Sequence, residues 1–221
     1  MLLQRFTNNR IPAALLALLV FAGCASGGPT KEPESRRDQS RQGGDAVEGQ
    51  QAELAIPPQV QTLYEQAASA MAAGDYVDAE LRFKEFLLQY PDYPGAHVNL
   101  AIIHANNENY DAARSSLDAA LALNPNHPAA LNQLGMLLRR NGKFLEAEAA
   151  YLKAVTVSPD YALAHYNLGV LNELYLQRLD VALENFETYQ TLVGEDKQVE
   201  KWIADLRRRV AAAKRTANVA E

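Results

Sequence analysis

The sequence predicts an all-α chain built as a solenoid of about four helix-turn-helix repeats and closed by a C-terminal capping helix. Three observations carry that prediction. Residues of three separate classes recur every 34 positions: the aromatics Tyr76, Tyr110 and Phe144, the prolines Pro91, Pro125 and Pro159, and the small residues Ala67, Ala101, Gly135 and Gly169. Independent classes sharing one period mark a repeated supersecondary unit. Almost half of the chain, 48%, is hydrophobic, yet alternating Val/Ile/Thr runs between Asn-Gly turns are absent, so strands have no footing. Beyond the last period, Val199, Trp202, Ile203, Leu206 and Val210 form one more apolar stripe at helical spacing, which has to cover something.

The densest copy of the pattern runs from Leu131 to Pro159, on Leu131, Leu134, Gly135, Leu138, Gly142, Phe144, Ala147, Tyr151, Ala154 and Pro159. It resembles the tetratricopeptide repeat (TPR), a helix-turn-helix unit of 34 residues. The resemblance implies a right-handed superhelix whose first helices line a concave side. Packing explains the pattern without it: two antiparallel helices approach closely only at small residues. Those are Ala67, Ala101, Gly135 and Gly169 in the first helices and Ala79, Ala113, Ala147 and Ala182 in the second, with Phe83, Leu117, Tyr151 and Phe186 filling the space beside them. Each pair keeps an apolar face that only the next pair buries, so the array is stable as a unit.

In chain order, residues 1–23 carry Arg5 and Arg10 and then an apolar run from Ile11 to Phe21, too short to span a bilayer and suited to a signal peptide. Phe21-Ala22-Gly23-Cys24 follows and resembles the lipobox of bacterial lipoproteins, with Phe where Leu is usual. The resemblance implies lipidation of Cys24 by diacylglycerol and palmitate-type chains. Cys24 is the only cysteine, so no internal disulfide forms, and two or more acyl chains give a stable anchor at about 0.8 kcal/mol per buried methylene. Removing residues 1–23 takes the formal net charge from -6 to -8. Ala25-Ser26 after the cysteine, in place of the aspartate that favours inner-membrane retention in such lipoproteins, implies the outer membrane, periplasmic leaflet.

Residues 24–58 form the lipidated N-terminus and a tether. From Ala25 to Pro58 the chain is Gly, Ser, Gln, Pro and mixed charge with no aromatic residue, too little apolar area to offset ordering entropy. As a flexible coil it spans about 30 Å. The TPR domain is expected over 59–194, as repeats 60–93, 94–127, 128–161 and 162–194, with Pro57-Pro58 opening the first helix. In the fourth repeat Leu179, Ala182 and Phe186 fall one residue late, which places an extra residue in the turn Leu176-Gln177-Arg178. Residues 195–221 are the capping helix and tail, with Arg207, Arg208, Arg209, Lys214 and Arg215 near its end, where positive charge suits the helix dipole.

No catalytic set emerges. His97 and His165 share the fourth repeat position and read as partly buried helix residues; His97 and His104 are seven apart, not the spacing that puts two imidazoles on one zinc. Neither a phosphate loop nor a nucleophile elbow is present. A net charge of -6 argues against nucleic acid. The sequence therefore reads as a non-enzyme without cofactor or metal, whose partners are the membrane, through its lipid, and a protein or peptide of the cell envelope.

The groove positions implied by the repeat are Tyr64, Val98, Asn99, Ile102, Asn132, Met136, Arg139, Tyr166, Asn167 and Val170. They form an apolar floor with amides able to donate to and accept from an extended peptide. The convex face and the cap are the competing surfaces. A signal, a lipobox and several repeats together resemble the pilotins and pilus-assembly lipoproteins that escort an outer-membrane secretin, and the TPR lipoproteins that gather peptidoglycan hydrolases.

Overall fold

The computed structural model describes residues 57–219. The signal, Cys24 and nearly all of the tether lie outside the described residues.

Four helix pairs follow one another: α1 (Pro58–Ala72) with α2 (Tyr76–Gln89), α3 (Pro94–Asn106) with α4 (Tyr110–Leu123), α5 (Pro128–Arg140) with α6 (Phe144–Val157), and α7 (Ala162–Leu171) with α8 (Leu179–Val193). The last helix, α9 (Lys197–Val219), packs on α8. Local chemistry sets the starts. Pro94 and Pro128 occupy first-turn positions, where the missing N–H costs nothing. Asp75 accepts from the Asp78 N–H at 3.1 Å, Asn109 from Ala112 at 3.3 Å, and Asp196 from Gln198 at 2.9 Å, each satisfying an otherwise unpaired helix donor. The turn inside each pair needs one left-handed residue: Gly74 and Gly142 in the first and third, Glu108 (φ 59°) and Gln177 (φ 58°) in the second and fourth.

The small-residue rule governs the core. Ala79, Ala113, Ala147 and Ala182 are all buried, as are Phe83, Leu117, Tyr151 and Phe186. A methyl on Gly135 would lie 2.4 Å from the Tyr151 ring, and one on Gly169 2.7 Å from Phe186, so these two helices touch with nothing to spare. Across repeats, α3 packs on α5 and α5 on α7. First helices therefore stand side by side, and each second helix keeps an outer face, where Val77, Leu81 and Leu88 on α2 and Leu145 and Leu152 on α6 are exposed.

The closing prolines do more than end a helix. The carbonyl of Pro91 accepts from His97 Nε2 at 3.0 Å and that of Pro159 from His165 Nε2 at 3.0 Å. A carbonyl only accepts, so Nε2 carries the proton in both rings. The third repeat has Leu131 at the histidine position, and there Lys153 Nζ serves the Pro125 carbonyl at 2.7 Å.

The fourth repeat differs from expectation in where it stores its extra residue. The insertion is absorbed upstream of the predicted turn, as a π-helical turn over Asn172–Leu176 continuing α7, with the Gln177 N–H donating to the Asn172 carbonyl. A wider turn leaves the helix face unbroken up to Leu171 and resets the register only after it. The insertion also swings Tyr175 onto the Phe144 ring of the third repeat, at 4.6 Å between centroids.

The cap is held chiefly by apolar contact. Val199, Ile203 and Leu206 are buried against Ala182, Phe186 and Tyr189, and Trp202 lies 5.6 Å from Phe186 and 6.0 Å from Tyr166. Arg207 pairs with Glu187 and Arg209 with Glu173, each at 2.7 Å, adding less than about 1 kcal/mol apiece at the surface.

Burial leaves a mark on the tyrosines. The phenols of Tyr151, Tyr161 and Tyr189 are pushed up to about 12, in each case first by desolvation. An unfolded phenol ionises near 10 while the buried one stays neutral, so stability is whole below about pH 10 and falls between about pH 10 and 12. For the fully buried Tyr151 the loss is about 3 kcal/mol. Thermal midpoints should stay flat up to about pH 9 and drop beyond, and Tyr151→Phe should flatten the drop. An identical alkaline fall in that variant would count against the assignment.

Candidate protein-binding face

Three of the ten expected groove residues are corrected by the structure. Asn132 is 1% exposed, Asn167 6% and Val98 3%, so all three face inward. Neighbouring first helices stand close enough to seal these three side chains between them, while Tyr64, Asn99 and Tyr166 at the same two repeat positions are half-buried. These positions form the seam between helices.

The seam has its own bonding rule. Asn167 Nδ2 donates to Asn132 Oδ1 at 2.9 Å, and Asn99 Nδ2 donates to the Tyr64 hydroxyl at 2.8 Å. Both links run from a sixth position to the fifth position of the preceding repeat, 35 residues back. The amides expected to read a peptide backbone are spent in joining repeat to repeat, and the buried Asn167–Asn132 link is costly to break because the surviving partner stays out of water.

The two tyrosines at the ends of the array are anchors of aromatic clusters. Tyr64 meets Phe83, Phe86 and Tyr93 at centroid distances of 5.5, 5.4 and 5.2 Å. Tyr166 meets Phe186, Tyr189 and Trp202 at 5.9, 5.3 and 6.0 Å. Their edge-on and tilted geometries are those aromatic quadrupoles favour.

Met136, Arg139, Ile102 and Val170 form the more accessible remainder. Met136 is 38% exposed, while Ile102 packs at the edge of the second repeat's core and Val170 at the edge of the cap cluster. Beside them, Arg140 lies over the Tyr110 ring at 4.0 Å, a cation–π contact. Among the described residues three buried polar atoms have no hydrogen-bond partner: Arg139 Nη1, the Tyr151 hydroxyl and Asn172 Oδ1. The positive charge of Arg139 pulls the Tyr151 and Tyr166 phenols down against the burial that raises them.

Sequence reasoning missed the Glu173–Arg209 pair and the outer stripe of Val77, Leu81 and Leu88. Repeat position 12 places Glu173 on the groove side and Arg209 lies on the cap helix, 36 residues on; no local pattern joins them. The outer stripe was visible as apolar residues four and seven apart, but a core face and an exposed face have the same period.

Stacked antiparallel helix pairs, each with its own buried cluster, define a helical-repeat interaction scaffold. Residues 70–174 match tetratricopeptide-repeat models: one described as "Tetratricopeptide repeat" matches residues 70–137, and one described as "TPR repeat" matches residues 135–174. The peroxisomal targeting signal receptor of Candida albicans is 34% identical over 73 residues, which is 33% of this chain and 12% of that protein. The chain thus spans about an eighth of the length of that relative. Among solved structures, the pilF protein of Pseudomonas aeruginosa superposes with a TM-score of 0.62 at 22% identity, covering 69% of each chain. MamA of Desulfovibrio magneticus superposes at 0.56 with 21% identity, covering 74% of this chain and 92% of the other. At these identities the likeness is one of fold.

Proposed function

We propose that this protein is an adaptor that does no chemistry, is tied by acylated Cys24 to the periplasmic face of the bacterial outer membrane, and holds a partner protein or peptide along its first helices. The observation that carries the binding part is Met136, a flexible thioether side chain that is 38% exposed on α5, one helical turn before Arg139. Such a side chain repacks around a partner at little cost. The anchoring part rests on the apolar run and Phe21-Ala22-Gly23-Cys24.

Two tests separate the parts. Cys24→Ser should move the protein from the membrane pellet to the soluble fraction or leave it unprocessed, because without acyl chains nothing in the tether is apolar enough to hold; a wild-type membrane fraction in this variant would end the anchoring claim. Met136→Asp should weaken capture of the partner, found by crosslinking in intact cells, by about tenfold with helicity unchanged, since it sets an unpaired charge in the contact. Undiminished capture would move the site to the outer stripe or the cap. Crosslinking to a secretin would favour a pilotin-like assembly factor, and crosslinking to a peptidoglycan hydrolase an adaptor for cell-wall turnover, the two narrower readings that the plan of signal, lipobox and repeats supports.

A further inference from the structure

We propose that the C-terminal half of α9 rests on the headgroups of an anionic phospholipid surface. The lipid is that of the membrane to which acylated Cys24 ties the chain, so its source rests on the anchoring proposed above. Arg207, Arg208, Arg209, Lys214 and Arg215 follow one another with no acid between Leu206 and Thr216, in a chain of net charge -6. The first half of the same helix is balanced, with Lys197 and Lys201 against Glu200 and Asp205. Two ordinary uses of positive charge leave part of this set unexplained. The helix dipole favours cations only within the last turn, and α9 runs on to Val219 with no basic residue there. Ion pairs take Arg207 to Glu187, Arg208 to Asp205 and Arg209 to Glu173. Lys214 and Arg215 are exposed and have no ion pair among the described residues.

The shape of the surface decides the kind of anion. Arg207, Arg208 and Arg215 surround a shallow open depression floored by Ala211 and Ala212. Between Arg207 and Thr216 the only apolar side chain larger than alanine is Val210, which is half-buried, and no aromatic residue follows Trp202. A protein interface is centred on large desolvated anchors, and single-stranded nucleic acid on stacking rings; this stretch offers neither. Long cationic side chains around a low methyl floor instead meet many phosphates of a plane at once, each by charge-assisted bonds. The tether keeps such a surface within reach, which raises its effective concentration. Because α1 opens the array and α9 closes it, the contact holds the repeats from the side away from the tether and fixes how they stand on the membrane.

The test uses the full chain with Cys24→Ser, so that acylation plays no part, and with Ala212→Cys as its one thiol, carrying a fluorophore. Vesicles bear a quencher on some of their headgroups. With about 30% phosphatidylglycerol the label should be quenched, and on phosphatidylcholine alone it should stay bright. Salt at about 0.5 M should restore the emission. Lys214→Gln with Arg215→Gln should lower the ratio of quenched to free label about thirtyfold, at about fivefold for each cation removed. Lys197→Gln with Lys201→Gln removes equal charge from the balanced half and should lower it less than about threefold. Comparing vesicle compositions uses one and the same protein, so it holds even if a double variant folds poorly. Quenching that ignores phosphatidylglycerol, or falls equally in the two double variants, would overturn the lipid contact and leave the anchor standing. Shielding of the label only when the crosslinked partner protein is added would also overturn it, in favour of a protein interface. Salt releases this contact and does not release acyl chains, so salt-washed membranes keep the test of Cys24 separate from this one.

Discussion

Cutting the chain after Gly194 is expected to leave a protein that self-associates and unfolds at far lower denaturant than the intact one. The truncation removes α9 and with it Val199, Trp202, Ile203 and Leu206, and lays bare Phe186, Tyr189 and Tyr166. At about 1.5–3 kcal/mol for each buried large side chain, the four lost residues amount to about 6–12 kcal/mol. That figure is an upper bound, since unfolded chains already bury part of their surface, but it rivals the whole stability of a typical domain. The exposed patch is also the kind that ends a solenoid badly, because the last repeat has nothing to stack on. Urea melts followed by circular dichroism, with sedimentation of the same samples, would show it. An unchanged midpoint and a monomeric truncated chain would mean that α9 is an appendage and the fourth repeat closes itself. Removing only the cap's ion pairs, by Arg207→Ala with Arg209→Ala, should cost about 1 kcal/mol or less, as exposed pairs do.

Gly135→Ala should lower stability although alanine is the better helix former. In an open helix the exchange would gain about 1 kcal/mol. Here the new methyl would stand 2.4, 2.6 and 2.8 Å from three carbons of the Tyr151 ring, closer than real atoms approach. Tyr151 has little room to withdraw: it is fully buried, packed with Leu168 and Leu171. Overpacking of this kind costs about 1–3 kcal/mol and at times more, and the high end wins at a site with no slack. A net loss of about 2 kcal/mol, or about 6 °C in Tm, is expected, with Gly135→Val losing more. The first repeat supplies an internal comparison. It carries Ala67 at the same position and Phe83 at the ring position, so a methyl is compatible with this architecture where the ring lacks a hydroxyl to reseat. Gly169→Ala, against Phe186 at 2.7 Å, should accordingly be milder. A Gly135→Ala protein as stable as wild type would show that α5 and α6 slide apart freely and that the small-residue rule is not what sets their spacing.

Much of this architecture could be read from the chain. The 34-residue period assigned the small residues, the rings beside them and the closing prolines, and each lies in the structure where the period puts it. The cap was legible for a similar reason: the stripe from Val199 to Val210 had no partner within its own element. The proposed binding face was legible only in part. Repeat position tells at which angle around its helix a side chain leaves, and it assigned Met136 and Val170 one position in successive repeats, 34 residues apart. It does not tell how near the next helix stands, and so Asn132, Asn167 and Val98 looked open when they are sealed in a seam.

Periodicity and residue size, which are properties of the string, settled that the described residues are helical, that their helices come in pairs, and which residues hold each pair together. Tertiary packing was needed for the rest: that the inserted residue widens α7 at Asn172–Leu176 instead of lengthening a turn, that the amides join repeats, and that Arg209 of the cap takes Glu173. Those outcomes depend on distances between helices that are far apart in sequence, and a one-dimensional pattern records direction around an axis without the separation between axes.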